Sequence, residues 1–533
     1  MPKVLIIGLD GATWTVLEPW ARAGRMPRLL ALMDRGTWGP LRSTIPALTM
    51  PSWSSFVTGK NPGGHGIYAF TRTAPHAYEP GGIANAAHLR SATLWDHLGQ
   101  AGRSVGVINV PPSYPLRPVN GYVVGCMLTP PGERFTEPAE VATELDGYQI
   151  DLKAPRQLRA SMATYAERST TYLGALCTMT QRRADATIRL MLRRPTDVVC
   201  VVFYSPDRVQ HNFWNELDDR PRSGDDARVR GAVEQVYSSL DAAVGRVVDT
   251  AGPDATVILA SDHGFVPKPS QSVRINRWLA DHGLLAEHRF WTLRRKVIRN
   301  LPAAWRRRWD TLDHIHVRRP ATAAWAETLD NATAGIWVHL RGRYPLGCVA
   351  PGAAYEAVRT RIVDGLGALR DGAGRPVFRS VRRREEQYHG PFVDEAPDVM
   401  AVCNPGFGVL TYSLRRDLRS REIFGSFDEA GFTGTHDPAG IYLFAGAHVR
   451  PLGRHDEYPI ESIAPTVLYL LGVPIPRSMD GPVCASVLDP QLLAATPLVY
   501  TDVEAEAQSA ATWASAEDEA HVAEHLRSLG YME

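Results

Sequence analysis

The fold is decided by residues 4–10, which read Val4-Leu5-Ile6-Ile7-Gly8-Leu9-Asp10. This run is apolar until its closing carboxylate, which is typical of a parallel strand buried on both faces. Comparable runs recur along the chain, and longer amphipathic patterns separate them. The further strands predicted in this way are Val105–Val110, Tyr122–Cys126, Val198–Phe203, Thr256–Ala260, Val399–Cys403 and Ile441–Ala445, and the longest predicted helices are Tyr165–Arg193 and Asp225–Ala251. The alternation predicts an α/β fold with a central, mostly parallel sheet sandwiched by helices.

The bulk composition is that of an ordinary globular chain. Its 533 residues are 44% hydrophobic and 22% charged, which is enough for a sizeable core. The formal net charge of +1 gives no whole-chain case for a nucleic-acid partner or an acidic membrane surface. The six cysteines are scattered, without a CxxC pair. Neither a secretory signal pattern nor a run of about 18 apolar residues is present, so a cytoplasmic protein without a transmembrane segment is expected.

The regular alternation lapses in the middle of the chain. Residues 267–431 are less regular and are predicted to form an inserted cap domain between two parts of the α/β core, residues 1–266 and 432–496. Residues 497–533 are predicted to form a tail whose last helix docks on the core. Val522, Leu526 and Leu529 share one face of that helix, and Gly530 follows as a C-cap.

Three acidic residues follow apolar strands: Asp10, Asp207 and Asp262. In an open α/β sheet the carboxyl ends of the strands border one crevice, where converging carboxylates need a cation. His211 lies one helical turn after Asp207, and His263 adjoins Asp262. Carboxylates and imidazoles without a thiolate suit Zn²⁺, or Mn²⁺ as the second choice, better than Mg²⁺. Taken singly, each residue is equally compatible with a turn cap, a surface pair or a structural histidine.

Thr49 lies where the chain is predicted to enter a helix. Pro51 suits a first helical turn, and Gly59 is placed to close the helix. The backbone N–H groups near Met50 would then point outward at the positive end of the helix dipole, where an anion can bind. By itself Thr49 is an ordinary N-cap, worth about 1 kcal/mol. Beside a metal cluster, the same hydroxyl is a candidate nucleophile.

Together these motifs resemble the alkaline phosphatase superfamily, specifically its type I phosphodiesterase/nucleotide pyrophosphatase branch. The resemblance runs from residue 1 to roughly residue 490 and is interrupted by the cap. The motifs that carry it are Ile7-Gly8-Leu9-Asp10-Gly11, Thr49-Met50-Pro51-Ser52-Trp53, Thr58-Gly59-Lys60-Asn61-Pro62, His65-Gly66-Ile67, Pro206-Asp207 with His211, Ser261-Asp262-His263-Gly264 and Gly434-Thr435-His436.

The resemblance implies an alkaline phosphatase-like fold and a hydrolase with two divalent metal ions, which clamp the attacking and leaving oxygens of an in-line displacement. It implies that Thr49 attacks phosphorus and forms a covalent phospho-threonine, while the N–H of Met50 holds a phosphoryl oxygen. It implies that one ion is held by Asp207, His211 and His436, and that the other is held by Asp10, Asp262 and His263 with the Thr49 hydroxyl.

The chain also departs from this branch. Nucleotide pyrophosphatases carry an Asn that contacts the phosphoryl group shortly after the His-Gly-Ile motif, and Phe70 occupies that place here. Phe70 is therefore taken as a substrate-facing position, and nucleotide specificity is weakened. Sulfatases of the superfamily need a Cys or Ser that is converted to formylglycine, usually within Cys/Ser-x-Pro-x-Arg. The chain has Thr49 and Trp53 at those two places, which argues against a sulfatase.

The expected substrate is a small phosphate diester or diphosphate. A phosphomonoesterase or a phosphonate hydrolase would use the same site, and a binding or scaffold protein on this fold is the alternative from another class. An Arg/Trp stripe at residues 291–319 would suit nucleic-acid binding, a peripheral membrane contact or an anionic substrate. Because the overall charge is balanced, a solvated helix with paired arginines is the favoured interpretation of that stripe.

Overall fold

The computed structural model describes residues 1–72, 78, 81–152, 164–218, 224–287, 317–409, 417–418, 420–427, 432–507 and 515–529. The chain divides into two compact units. The first comprises Met1–Arg72, Gly82–Pro267 and Gly431–Glu533, and the second comprises Thr73–Gly81 and Lys268–Ala430. Most of the Arg/Trp stripe predicted at residues 291–319 lies outside the described residues, which resume at 317.

The strands are numbered in chain order. They are β1 Val4–Leu9, β2 Gly36–Arg42, β3 Val105–Ile108, β4 Gly121–Val124, β5 Thr136–Glu137, β6 Val198–Phe203, β7 Thr256–Ala260, β8 Gly264–Pro267, β9 Gln271–Val273, β10 Ala324–Asp330, β11 Thr333–Val338, β12 Phe378–Arg383, β13 Val399–Cys403, β14 Phe407–Val409, β15 Phe424–Ser426, β16 Gly434–Asp437, β17 Ala439–Gly446, β18 Gly453–Arg454, β19 Tyr458–Pro459, β20 Ile475–Pro476 and β21 Tyr500–Thr501.

The α-helices are numbered in the same way. They are α1 Trp14–Arg22, α2 Pro27–Asp34, α3 Thr49–Thr58, α4 Pro62–His65, α5 Leu94–Gln100, α6 Tyr165–Arg193, α7 Ser205–Phe213, α8 Gly224–Ala251, α9 Ile275–Asp281, α10 Ala353–Gly367, α11 Arg384–Gln387, α12 Ile463–Leu470, α13 Pro490–Ala495 and α14 Ala516–Leu529. Within the described ranges, none of the helices combines the length and the apolar character needed to span a membrane.

The first unit is built on a ten-stranded sheet with the strand order β18-β2-β17-β7-β1-β6-β3-β4-β5, in which β19 also pairs with β2. The strands β7, β1, β6, β3 and β4 are parallel to one another. Strand β17 is antiparallel to both β7 and β2, and β5 is antiparallel to β4. This is the predicted central, mostly parallel sheet.

Helices cover both faces of this sheet. The central strand β1 is apolar on both sides, and each side is buried against a layer of helices. Leu5, Ile7 and Leu9 point into a core that also contains buried residues of α6 and α8. Gly8 faces the other way, toward the indole of Trp53 on α3, and β1 can approach that ring only without a Cβ at this position. Helices α3, α5 and α12 pack together in this second layer. The predicted α/β sandwich is confirmed.

The long helix α6 begins where the sequence supplies a capping box. The Glu167 N–H donates to Thr164 Oγ1 (3.2 Å), and the Thr164 N–H donates back to the Glu167 carboxylate (3.1 Å). These two bonds satisfy N–H groups that a helix end otherwise leaves without partners. The predicted bounds of α6 match the observed ones, and α8 begins one residue before the predicted Asp225.

The second unit has its own sheets and core. Strands β10, β11, β13 and β12 form an antiparallel four-stranded sheet, and β14, β9 and β15 form a three-stranded one. The strand predicted at Val399–Cys403 is present as β13. It lies in this separate sheet and not among the strands of the central sheet, because an apolar run does not specify its pairing partners.

Candidate active site

Three neighbouring strands of the central sheet converge on the site. Strand β1 lies between β6 and β7, and all three run parallel, so their carboxyl ends lie at one edge. Asp10 follows β1 directly, and Asp262 follows β7 after a single serine. The third strand, β6, leads into α7, which carries Asp207. The three acidic residues are thus brought together as the sequence predicts.

The first cluster consists of Asp207, His211 and His436, all buried. Asp207 and His211 lie one turn apart on α7, and the His211 Nε2 is 3.4 Å from Asp207 Oδ1. The Nε2 of His436 is also 3.4 Å from Asp207 Oδ1 and 2.9 Å from the His211 Nε2. One oxygen and two nitrogen atoms that could bind a metal ion therefore lie close together.

His436 reaches this cluster through a two-stranded sheet formed by β16 and β8. The antiparallel register places His436 opposite Phe265, two residues after His263. The rings of His263 and His436 stack with their centroids 3.7 Å apart. The Nδ1–H of His436 donates to the carbonyl of Ala47 (2.9 Å), which orients its Nε2 toward Asp207.

The second cluster consists of Asp10, Asp207, Asp262 and His263. The Nε2 of His263 lies 3.2 Å from Asp262 Oδ2 and 4.0 Å from Asp10 Oδ1. One donor atom from each of Asp10, Asp207 and His263 lies within 4.8 Å of the others. Asp207 therefore contributes to both clusters, which the sequence does not predict, since the resemblance assigns it to one site.

The donor atoms of the second cluster fit a cation. The Nδ1–H of His263 donates to the carbonyl of Gly264 (3.2 Å), so its Nε2 presents a lone pair toward the carboxylates. Burial and the neighbouring His436 hold the pKa of His263 well below its ordinary value, so the ring is neutral. Among the residues that the structure describes, Asp10 Oδ1 and Asp262 Oδ2 are buried and accept no hydrogen bond. Lone pairs that face one another without a proton donor are stabilised by a metal ion.

The pKa values of Asp10 and Asp262 are both raised, mainly by burial. Burial, followed by the nearby Asp262 and Asp207, raises the pKa of Asp10 well above its ordinary value. Burial also raises the pKa of Asp262, to about 7, with Asp207 adding to the effect and the Gly11 N–H opposing it. A divalent cation at this place would oppose both shifts, because its charge would offset the repulsion that adds to the effect of burial.

Asp10 and Asp262 each accept a hydrogen bond from elsewhere in the protein. The indole Nε1–H of Trp53 donates to Asp10 Oδ2 (3.1 Å), and the N–H of Gly11 donates to Asp262 Oδ1 (3.1 Å). Each bond occupies one oxygen and leaves the other facing the cluster. The role of Trp53 is not predictable from the sequence, although the residue lies in the same motif as Thr49.

Thr49 is the first residue of α3 and is buried beside the second cluster. The N-cap of this helix is Leu48, so the interpretation of Thr49 as an N-cap is wrong. Its Oγ1 lies 3.5 Å from the His263 Nε2. Helix α3 ends at Gly59, which adopts the left-handed conformation (φ 67°) that favours glycine. Because Met50 follows Thr49 in the first turn, its N–H is one of the groups that have no carbonyl partner within a helix.

Phe70 is also buried in the first unit. Its carbonyl accepts a hydrogen bond from the Ala84 N–H (2.8 Å). A role for Phe70 toward a substrate stays a prediction.

The Asp207 carboxylate has a partner that sequence reasoning missed. The guanidinium of Arg208, the next residue along the chain, donates to Asp207 Oδ2 (2.5 Å) and to Asp151 (2.6 Å). Adjacency of Arg208 to a predicted ligand is the only sequence signal for this contact, and nothing in the sequence pairs either residue with Asp151.

A family model and two solved structures match this chain. The family model for type I phosphodiesterase/nucleotide pyrophosphatase matches residues 4–438. Phosphonoacetate hydrolase from Sinorhizobium meliloti 1021, solved with phosphonoformate, is similar at 18% identity and a TM-score of 0.51, covering 83% of this chain and 90% of that one. Murine ectonucleotide pyrophosphatase/phosphodiesterase 5, solved with AMP, is similar at 14% identity and a TM-score of 0.49, covering 89% and 96%. At these identities the likeness to solved structures concerns the fold.

Proposed function

The chain belongs to the type I phosphodiesterase/nucleotide pyrophosphatase family of the alkaline phosphatase superfamily, and we propose that it is a two-metal hydrolase of phosphate diesters or diphosphates with Thr49 as its nucleophile. Membership makes it a phosphoester hydrolase. The observation that carries the finer proposal is the position of the Thr49 hydroxyl, 3.5 Å from the Nε2 of His263 at the edge of the Asp/His clusters.

The proposed metal ligands come from the two clusters. Asp207, His211 and His436 would hold one ion, and Asp10, Asp262 and His263 would hold the other together with Thr49. Nitrogen and carboxylate donors without a thiolate suit Zn²⁺, with Mn²⁺ as the alternative. When bound, the two ions would supply Lewis acidity to the reacting oxygens and favour the deprotonated hydroxyl.

Thr49 Oγ1 attacks the phosphorus atom in this mechanism. A bond forms between Oγ1 and phosphorus, and the bond from phosphorus to the leaving oxygen breaks, so an alcohol or a phosphate departs with its electron pair. Water then attacks the phosphorus atom of the phospho-threonine, and the bond from phosphorus to Oγ1 breaks. A phosphate monoester is released, and Oγ1 takes up a proton from the attacking water, which returns Thr49 to its starting state. The N–H of Met50, at the positive end of α3, would stabilise charge on a non-bridging oxygen.

The direct test is hydrolysis of bis-(p-nitrophenyl) phosphate and p-nitrophenyl phosphate in parallel. The purified protein is first treated with a chelator, and Zn²⁺ or Mn²⁺ is then added back. We expect metal-dependent release from the diester, and a fall in kcat of on the order of 10³ or more in Thr49→Ala and Asp262→Ala. Thr49→Ser keeps a hydroxyl and should retain part of the activity.

Ser54→Ala is the matched control. Ser54 is buried on the same helix, but its hydroxyl donates to the Met50 carbonyl (2.7 Å), within the helix. Activity in this variant should stay close to that of the wild type. A preference for the monoester would replace the proposal with a phosphomonoesterase. Phosphonoacetate, assayed beside the two esters, tests cleavage of a carbon–phosphorus bond, and its hydrolysis in preference to the diester would replace the proposal with a phosphonate hydrolase. The absence of both turnover and bound metal would favour a binding or scaffold protein on this fold.

A further inference from the structure

Arg208 is a buried cation held between two carboxylates. Its side chain is 2% exposed, and its guanidinium donates to Asp207 Oδ2 on one side and to Asp151 Oδ2 on the other (2.5 and 2.6 Å). The guanidinium also lies over the ring of Tyr204, 5.6 Å from its centroid. A buried arginine in this position is fixed in orientation, because movement would leave a charge without its partner.

The Asp207 carboxylate is therefore divided between two tasks. Oδ2 accepts from Arg208, while Oδ1 lies 3.4 Å from the Nε2 atoms of both His211 and His436. The bond to Arg208 sets the rotation of the carboxylate and thereby the direction in which Oδ1 points. Partners that orient metal ligands in this way influence metal affinity.

The chain of contacts continues to the C-terminal helix. The Nε2 of His525, on α14, lies 3.3 Å from Asp151 Oδ2, the same oxygen that accepts from Arg208. Burial alone would raise the pKa of Asp151, but Arg208 and His525 outweigh burial and hold that pKa below its ordinary value. Asp151 is thus an anion at the junction of α14 and Arg208.

Helix α14 is well placed to hold this contact. Val522, Leu526 and Leu529 are buried, as the amphipathic pattern of the tail predicts. A second polar contact, from the Ile83 N–H to Glu519 Oε1 (2.7 Å), fixes the N-terminal half of the helix. His525 itself keeps 21% of its side chain exposed.

We propose that Arg208 is a positioning residue for the metal ligand Asp207, and that Asp151 and His525 of the C-terminal helix hold Arg208 in place. The inference rests on the proposed function, since it assigns Asp207 to a metal ion. It makes the last helix of the chain a part of the metal centre through the contacts His525–Asp151, Asp151–Arg208 and Arg208–Asp207.

The test measures binding of Co²⁺ alone to the full-length, metal-depleted protein, by calorimetry and by the visible absorption of the bound ion. The variants are Asp151→Asn and His525→Ala. We expect Asp151→Asn to weaken one of two Co²⁺ sites about tenfold and His525→Ala to weaken it about threefold, each with an altered absorption spectrum. The spectrum reports ligand geometry, which a loss of stability alone would not change.

Two further variants make the test specific. His525→Gln places an amide nitrogen near the position of the imidazole Nε2 and should restore affinity and spectrum. Glu519→Gln weakens the other polar contact of α14 and should leave both unchanged. Because His525 is partly exposed, His525→Ala should fold even where Asp151→Asn does not.

The possible failures can be told apart. Wild-type affinity and spectrum in folded His525→Ala and Asp151→Asn would overturn the positioning role and leave the proposed function intact. An equal loss in Glu519→Gln would also overturn it, because general loosening of α14 would then be the cause. Absence of Co²⁺ binding by the wild type would overturn both proposals.

Discussion

The carboxylates of the site are its most unusual residues. Asp10, Asp207 and Asp262 are each 0% exposed. Burial opposes ionisation, and mutual repulsion adds to the effect, so the pKa values of Asp10 and Asp262 are raised. Burial opposes ionisation at Asp207 too, but His211, then His436 and Arg208, outweigh burial and hold its pKa well below the ordinary value. Burial and repulsion therefore favour the protonated forms of Asp10 and Asp262, whereas the surroundings of Asp207 favour its charged form.

Metal affinity is therefore expected to rise with pH. The pKa of Asp262 is about 7, so below pH 7 the carboxyl holds a proton that a metal ion must displace. Above pH 7 the carboxylate is already charged, and the dependence should level off. Between pH 5.5 and 7 the apparent association constant should rise by up to about tenfold per pH unit for each proton released. Calorimetric titration with Zn²⁺ in two buffers of different ionisation enthalpy measures the association constant and the number of protons released.

Asp262→Asn is the matched variant for this measurement, because it removes the titrating group but keeps its shape. It should bind more weakly at pH 8 and show a flatter pH profile than the wild type. An affinity that does not change between pH 5.5 and 8, with no proton released, would contradict the assignment of Asp262 as a ligand.

Among the secondary-structure elements, the contact between β1 and α3 positions Thr49, the proposed nucleophile, relative to Asp10. Gly8 lies in β1 and faces Trp53 of α3, which donates to Asp10 at the end of the same strand. Helix α3 also carries Thr49 in its first turn. The absence of a side chain at Gly8 therefore sets the distance between the strand that carries Asp10 and the helix that carries Thr49.

Gly8→Ala tests this spacing. The added Cβ would lie 2.5 Å from Trp53 Cη2 and 2.8 Å from Val202 Cγ2, so the indole must move. We expect a loss of about 1–3 kcal/mol in the free energy of unfolding, together with a lower kcat, because Trp53 would lose its bond to Asp10. Urea denaturation and the diester assay measure the two effects.

Gly231→Ala is the control, since a Cβ added at that position in helix α8 would meet no described residue of a neighbouring element within 4 Å. Stability there should stay the same or rise by roughly 0.5–1 kcal/mol, because alanine favours a helix over glycine. Equal stability and activity of Gly8→Ala and Gly231→Ala would show that the packing of Trp53 on β1 does not set the geometry of the site.

At the scale of the whole molecule, the predicted ligands come from distant parts of one unit. Asp10 through His263 belong to its earlier segments and His436 to its last one. Because these residues meet only when the first unit is folded, ions that bind them stabilise the folded state. The second unit contributes none of the predicted ligands.

Metal removal should therefore lower the melting temperature of the first unit. A single ion present at 100 times its dissociation constant contributes about 2.7 kcal/mol, so two ions should raise the Tm by several degrees. Calorimetric scans with EDTA and with added Zn²⁺ measure the difference, and unfolding of the second unit should not respond. The rise in Tm on addition of Zn²⁺ should be smaller in His436→Ala than in the wild type. An equal rise in both proteins would count against the first cluster as a metal site.

The sequence by itself determined the features that depend on neighbouring residues. Apolar runs predicted β1, β6 and β7 with their observed bounds, since burial on both faces requires continuous apolar character. The positions of Asp10 and Asp262 after such runs predicted their convergence, because parallel strands end at one edge of a sheet. The spacing of Asp207 and His211 predicted a shared helix face.

Only the tertiary structure decided the contacts that join distant segments. Asp207 faces both clusters, Trp53 donates to Asp10, and His436 lies opposite Phe265 through the pairing of β16 with β8. His525 meets Asp151 across 374 positions of the chain. These contacts depend on strand register and on the packing of one layer against another. Hydrophobic pattern specifies which face of a strand or helix is buried, but it does not specify which distant side chain lies opposite.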